Sequence, residues 1–235
     1  LGDPLKRILV ALDVPSADDA RRIVEPLQHS GLPFGVKIGM ELACAAGHRF
    51  IREMAEEDIY IFDDQKRHDI PNTIGQTAKI QLSFGAQMAN CMCGCGPEGI
   101  RAFAKACDDL QMTTSIGVTV LTSKSDEECL AEFGRTAIEQ VRFYARWAEQ
   151  NGLDGVVCSP HELPMIKENF DLLAVCPGIR PTWAASNDQK RFTTPAEAVR
   201  MGADWQVIGR PITDSRYGTP VNNLSRILDE IAKVT

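Results

Sequence analysis

Ile59 to Thr73 read "IYIFDDQKRHDIPNT". Four aromatic or β-branched residues run directly into a cluster of three aspartates, one lysine and one arginine. A strand with one wet face alternates polar and apolar residues, whereas a parallel strand covered on both faces is apolar throughout. The first half of the stretch is of the second kind, so its charges belong at the C-terminal end of a buried strand.

Seven further segments have the same apolar, β-branched character: "ILVALD" (Ile8 to Asp13), "FGVKIG" (Phe34 to Gly39), "AQMANCM" (Ala86 to Met92), "TSIGVTV" (Thr114 to Val120), "DGVVC" (Asp154 to Cys158), "LLAVC" (Leu172 to Cys176) and "WQVIG" (Trp205 to Gly209). Stretches of helical periodicity separate them. Two of these carry helix-start signatures, Ser159-Pro160 with Glu162 and Thr194-Pro195 with Glu197, each a cap, a proline and an acid at the third position. Eight strand–helix units predict an α/β fold, a (β/α)8 TIM barrel forming a single domain over residues 1–235, with an open doubly wound sheet as the alternative.

Barrels of this type carry their active sites at the C-terminal ends of the strands. Polar residues gather at those ends here: Asp13 after the first strand, Lys37 late in the second, Asp64 and Lys66 in the third, Asn90 in the fourth, and Gly209-Arg210 after the eighth.

Composition narrows the functional classes. A formal charge of −7 and a pI near 5.2 argue against an extended nucleic-acid or anionic-membrane surface, which needs clustered Lys and Arg. No apolar run approaches the ~18 residues of a membrane span, and "LGDPLKRILVALD" lacks a secretory cleavage site, so a soluble, cytoplasmic protein is expected. The eight cysteines are read as reduced, since 44% hydrophobic content builds a core without staples. Cys91, Cys93 and Cys95 in "CMCGC" alternate, which in a strand spaces them about 6.6 Å apart, too far to share one zinc unless Gly94 bends the chain. They are read as small core residues, and no metal site is expected.

Within the opening stretch, Asp64 and Lys66 are two apart and project to one side if the strand persists. Asp69 falls in the turn before a helix that Pro71 helps to start. With Lys37 from the neighbouring strand these form a Lys-Asp-Lys-Asp array, in which flanking carboxylates keep Lys66 charged, an acid rather than a Schiff-base nucleophile. The alternative is an ordinary ion-pair network at a strand end.

Together with "VALDVP", "VKIGMEL", "GVTVLTS", "GLDGVVCS", "PGIRP", "NDQKR" and "GRPIT", the motif "DQKRHDIPNT" makes the chain resemble the orotidine 5′-monophosphate decarboxylase family over nearly its whole length. The resemblance implies cofactor-independent decarboxylation of orotidine 5′-monophosphate to UMP. It implies Lys66 as the proton donor, Asp64 as the carboxylate facing the substrate carboxyl, Lys37 as part of the array, and Asp69 reaching across the interface of a homodimer whose active sites are completed by the partner subunit. Asp13 and Thr73 would hold ribose hydroxyls, Thr122 would lie at the pyrimidine, Arg180 and Gln189 would come from the loop after strand seven, and Gly209 and Arg210 would bind phosphate.

These roles suit the residue types. Gly209 lets backbone approach a phosphate and Arg210 can fork onto two of its oxygens, where barrels commonly bind phosphate. The unpatterned segment "PGIRPTWAASNDQKR" has the length of a lid. His68 is left out of the catalytic set as a locally packed residue. The chain departs from the family at Asp63 and Gln65, where apolar residues facing the helix layer are usual, at Arg67, and at Met92, where many relatives carry histidine. Each polar group buried there without a partner would cost ~1 to 3 kcal/mol. Two rivals remain: a related barrel that uses D-x-K-x-x-D to bind Mg²⁺ and form a sugar-phosphate enediolate, and a nucleotide-binding barrel without turnover.

Overall fold

The structure, a computed structural model, describes residues 7–110, 113–184 and 192–234. Eight parallel strands, β1 (Ile8–Ala11), β2 (Gly35–Gly39), β3 (Tyr60–Arg67), β4 (Met88–Met92), β5 (Thr114–Val118), β6 (Gly155–Val157), β7 (Leu173–Cys176) and β8 (Trp205–Ile208), close into a barrel in sequence order. Closure comes from β1 against β8, with Leu9 opposite Val207. The doubly wound alternative is thereby excluded, and each strand lies within or overlaps the apolar run that predicted it.

Around the barrel lie α1 (Ala17–His29), α2 (Met40–Ala46), α3 (Arg49–Glu56), α4 (Pro71–Leu82), α5 (Gly96–Asp108), α6 (Asp126–Phe133), α7 (Ala137–Gln150), α8 (Leu163–Asn169), α9 (Pro195–Arg200), α10 (Arg210–Thr213) and α11 (Pro220–Ala232). The Thr194 capping box starts α9 as expected, with Thr194 Oγ1 accepting from the Glu197 N–H. The Ser159 box instead starts a 3₁₀ turn, Pro160–Glu162, and α8 begins only at Leu163, followed by a second proline.

The strands are apolar on both faces because they serve two cores. Inside the barrel, Leu9, Phe62, Met88, Ile116 and Val175 fill the centre, and Tyr60 stacks on Trp205 with ring centroids 4.7 Å apart. Outside it, a larger layer that includes Val10, Ile38, Ile61, Ala89 and Phe103 packs strands against helices. Burying a side chain of this size contributes about 1.5 to 3 kcal/mol, so the filled interior is a rigid floor for whatever sits on it. Among the described residues no helix is long and apolar enough to cross a membrane.

Candidate active site

The C-terminal mouth of the barrel opens into a cleft of about 370 Å³, floored by Ala11, Phe62, Val118, Val157 and Val207. Asp13, Lys37, Asp64, Lys66, Thr122, Arg180, Gly209 and Arg210 all line it. Sequence reasoning named these eight without a structure. It did not name Thr213 or the apolar floor, which follows from the inward alternation of the strands.

On one side of the cleft the charges are already paired. Lys37 Nζ donates to Asp13 Oδ1 at 2.8 Å and lies 3.3 Å from Asp64 Oδ2, while Lys66 Nζ donates to the other Asp64 oxygen at 2.8 Å. The order in space is Asp13, Lys37, Asp64, Lys66. Lys37 is 8% exposed, and burial, the largest single influence, works to lower its pKa; the carboxylates of Asp64 and Asp13 together outweigh it and hold the ammonium above its ordinary value. Gly39 makes room for this cluster, since a Cβ there would stand 2.8 Å from Lys37 Nζ.

Asp69, expected as the array's last member, is exposed and outside this cleft; it lies in a separate shallow depression with His68, Ile70 and Pro71. Thr73, the third residue of α4, is also outside the cleft lining. Gln189 lies outside the described residues.

Lys66 reaches the cleft by an unexpected route. Its φ is +50°, a left-handed conformation that costs a non-glycine residue about 1 kcal/mol or more. The cause is an interruption of the β3–β4 ladder: Asp63 pairs with Ala89 and Arg67 with Cys91, so β3 spends four steps where β4 spends two. Asp64 and Lys66 thus face one side through a bulge rather than through simple pleating. Asn90, buried completely, supports it: its Oδ1 accepts from the Lys66 backbone N–H at 2.8 Å and its Nδ2 donates to Asp64 Oδ1 at 2.6 Å. A polar residue inside the apolar run "MANCM" was the available signal for that role.

The departures at Asp63 and Arg67 prove to be one feature. Both side chains turn outward to the helix layer and pair with each other, Asp63 fully buried and Arg67 nearly so. Arg67 Nε also donates to Gln81 Oε1 at 2.7 Å, Nη1 to the Asn90 carbonyl at 3.1 Å, and the guanidinium lies 5.8 Å from the Phe103 ring centroid. Asp63 is therefore not a lone buried charge, although its Oδ1 has no hydrogen-bond partner among the described residues. Gln65 is half-buried, its Nε2 3.5 Å from the Ile38 carbonyl.

Across the cleft the arrangement differs. Gly209 joins β8 to α10, Arg210 is the first residue of α10, and Arg180 follows β7. The two ends of the loop after β7 are tied where Ile179 bridges Thr193 and the Arg180 N–H donates to the Thr193 carbonyl at 3.0 Å. Among the described residues neither arginine side chain has a hydrogen-bonded or ion-paired partner.

Among the described residues no three His, Cys, Asp or Glu side chains gather as metal ligands. The chain does bend at Gly94, in a 3₁₀ turn over Cys93–Cys95, yet Cys91 and Cys93 are buried in the core. Burial pushes the Cys93 thiol up, in keeping with a small apolar role.

A profile of the "Orotidine 5′-phosphate decarboxylase / HUMPS family" matches residues 6–227. The chain is 41% identical over 213 residues to a Streptococcus thermophilus protein named orotidine 5′-phosphate decarboxylase, covering 89% of this chain and 91% of that one. A Laribacter hongkongensis protein of the same name is 40% identical over 233 residues, covering 97% and 93%. The crystal structure of orotidine 5′-phosphate decarboxylase from Lactobacillus acidophilus superposes with a TM-score of 0.83 at 31% identity, covering 96% of this chain and 99% of that one.

Proposed function

Because this chain belongs to the orotidine 5′-phosphate decarboxylase / HUMPS family, we propose that it converts orotidine 5′-monophosphate to UMP and CO₂ with Lys66 as the acid that protonates C6. The observation that carries this reading is the position of Lys66 Nζ, at the cleft surface and ion-paired to Asp64.

Breaking the C6–carboxylate bond leaves its electron pair on C6, where the ring delocalises it poorly. Stabilisation must come from charge fixed in advance near that carbon. Lys66 supplies it, transfers a proton from Nζ to C6, and is reprotonated from solvent after UMP leaves. Lys37 and Asp13 keep Asp64 and Lys66 from reorienting during the reaction. Asp64 faces the departing carboxylate, and two such charges 4 Å apart repel by about 4 kcal/mol at an effective dielectric of 20, a repulsion relieved as CO₂ leaves.

Arg210 and Gly209 bind the phosphate, remote from C6, so that its binding orients the ring, and Arg180 and Gln189 contact the substrate from the loop after β7. Asp13 and Thr73 contact ribose hydroxyls and Thr122 the pyrimidine. Asp69 acts across a homodimer interface, completing the partner's array; its exposure beside Ile70, 65% exposed, supports a surface that a second copy covers.

The test is Lys66→Ala. Turnover of orotidine 5′-monophosphate, followed by absorbance with EDTA present, should fall by at least about 10⁴-fold, while UMP binding persists. Retained turnover would overturn the assignment of Lys66.

A further inference from the structure

We infer that Asn90 is the positioning residue for both Lys66 and Asp64, and that the buried Asp63–Arg67 pair behind it is the brace that holds Asn90 in place. The inference rests on the reading of Lys66 as the acid.

Three observations lead there. The β3–β4 ladder is broken between Asp63 and Arg67, and on the other edge β2 pairs with β3 only as far as Asp64, opposite Gly39, so Lys66 is left without ladder pairing on either edge and Asp64 with pairing on one. The Asn90 carboxamide spans the break, its oxygen on the Lys66 N–H and its nitrogen on the Asp64 carboxylate. Flipping the amide would set donor against donor and oxygen against oxygen, so only one orientation works and the contact is directional. On its other side, the Asn90 carbonyl accepts from Arg67, which is fixed by Asp63 and Gln81.

The consequence is a continuous polar path from the helix layer to the reacting groups. Arg67 and Asp63 close the bulge on its outer side, and Asn90 closes it on its inner side. Without Asn90 the left-handed conformation of Lys66 has lost its acceptor and Asp64 Oδ1 keeps only Lys66 as partner. Misplacement of a reacting group by about 1 Å can cost on the order of 100-fold in rate.

Asn90→Ala should lower kcat by about 100-fold with KM and UMP affinity nearly unchanged. Asn90→Asp is nearly isosteric and supplies a readout that a packing role would not move. Its carboxylate would face Asp64, with Asp13 just after β1, Lys37 on β2, Asp63, Lys66 and Arg67 on β3 and Cys91 on β4 as the neighbouring ionisable groups. At pH 8 the like charges repel and activity is lost. As pH falls and the introduced carboxyl takes a proton, its O–H restores a donor toward Asp64 while its other oxygen still accepts from the Lys66 N–H. The activity of Asn90→Asp relative to the parent should therefore rise about tenfold toward pH 5.5. A ratio independent of pH, or an Asn90→Ala kcat within about threefold of the parent, overturns the role of Asn90.

Asp63→Leu combined with Arg67→Leu removes the brace while leaving an apolar filling, an exchange that folded proteins commonly tolerate. It should lower kcat about three- to tenfold with UMP affinity kept; parental kcat overturns the brace. Lys66→Ala run alongside separates the failures. An active Lys66→Ala defeats the reading of the acid, whereas an inactive Lys66→Ala beside a fully active Asn90→Ala defeats only the positioning.

Discussion

The two sides of the cleft handle charge in opposite ways. On the β1–β3 side every charged group is bound to another of the protein's own: Asp13 to Lys37, Lys37 to Asp64, Asp64 to Lys66. On the β7–β8 side Arg180 and Arg210 line the same cleft with no such partner among the described residues. A group already paired is fixed before substrate arrives and acts on charge that develops in the transition state; an unpaired cation gives its interaction energy to a bound anion. On the proposed function, the first side serves rate and the second serves binding.

The largest effect that would test this division is Asp64→Asn. The amide keeps the size of the carboxylate but leaves Lys37 and Lys66 without their shared counter-charge, and kcat should drop on the order of 10³-fold. UMP, which carries no carboxylate on C6, should bind within a few fold of its parental affinity. Equal losses in kcat and UMP affinity would break the comparison, because the array would then be a binding element. Arg210→Ala should be smaller and of the other kind. Losing a charge-assisted phosphate contact costs about 2 to 4 kcal/mol in kcat/KM, with uridine, which lacks phosphate, bound as before. Weaker uridine binding would mean that Arg210 supports the pocket rather than the phosphate.

How far the sequence revealed these two sides follows from where the constraints lie. The barrel was legible because parallel strands buried on both faces must be apolar throughout, as in "ILVALD" and "TSIGVTV". The place of the array was legible because charge at the end of such a strand falls at the barrel mouth; spacing alone fitted an ordinary ion-pair network equally well, and the motif "DQKRHDIPNT" made the difference. The bulge at Lys66 was not legible. A non-glycine residue at positive φ leaves no mark on composition, and the contact that meets its N–H, with Asn90, is long-range. The Asp63–Arg67 pair was hidden for a related reason: each residue alone read as an uncompensated departure, and their spacing of four suits a helix better than a strand, except across a bulge.

A third arrangement of charge, at the rim after β6, gives the smallest and sharpest control. Glu162 closes the Ser159 capping box through its Oε2, which accepts from the Ser159 N–H at 2.7 Å, and it makes no ion pair among the described residues. Burial pushes its carboxyl up to about 7, against the partial opposition of that hydrogen bond. The folded state then holds a proton that the unfolded state has released between the ordinary value of 4.5 and about 7, so stability falls as pH rises through that window. Glu162→Gln keeps the capping acceptor and removes the charge. It should therefore stabilise the protein by about 1 kcal/mol at pH 8, discounted for the solvent that reaches this half-buried side chain, and raise the Tm by about 2 to 4 °C. Near pH 4.5 the difference should vanish. A gain at pH 8 that disappears at low pH would show the cost of a carboxylate enclosed without a cation, the cost that Lys37 and Lys66 offset for Asp64. No gain would mean that capping alone suffices to hold a carboxylate in this barrel, and the pairing on the β1–β3 side would then owe its existence to chemistry rather than to burial.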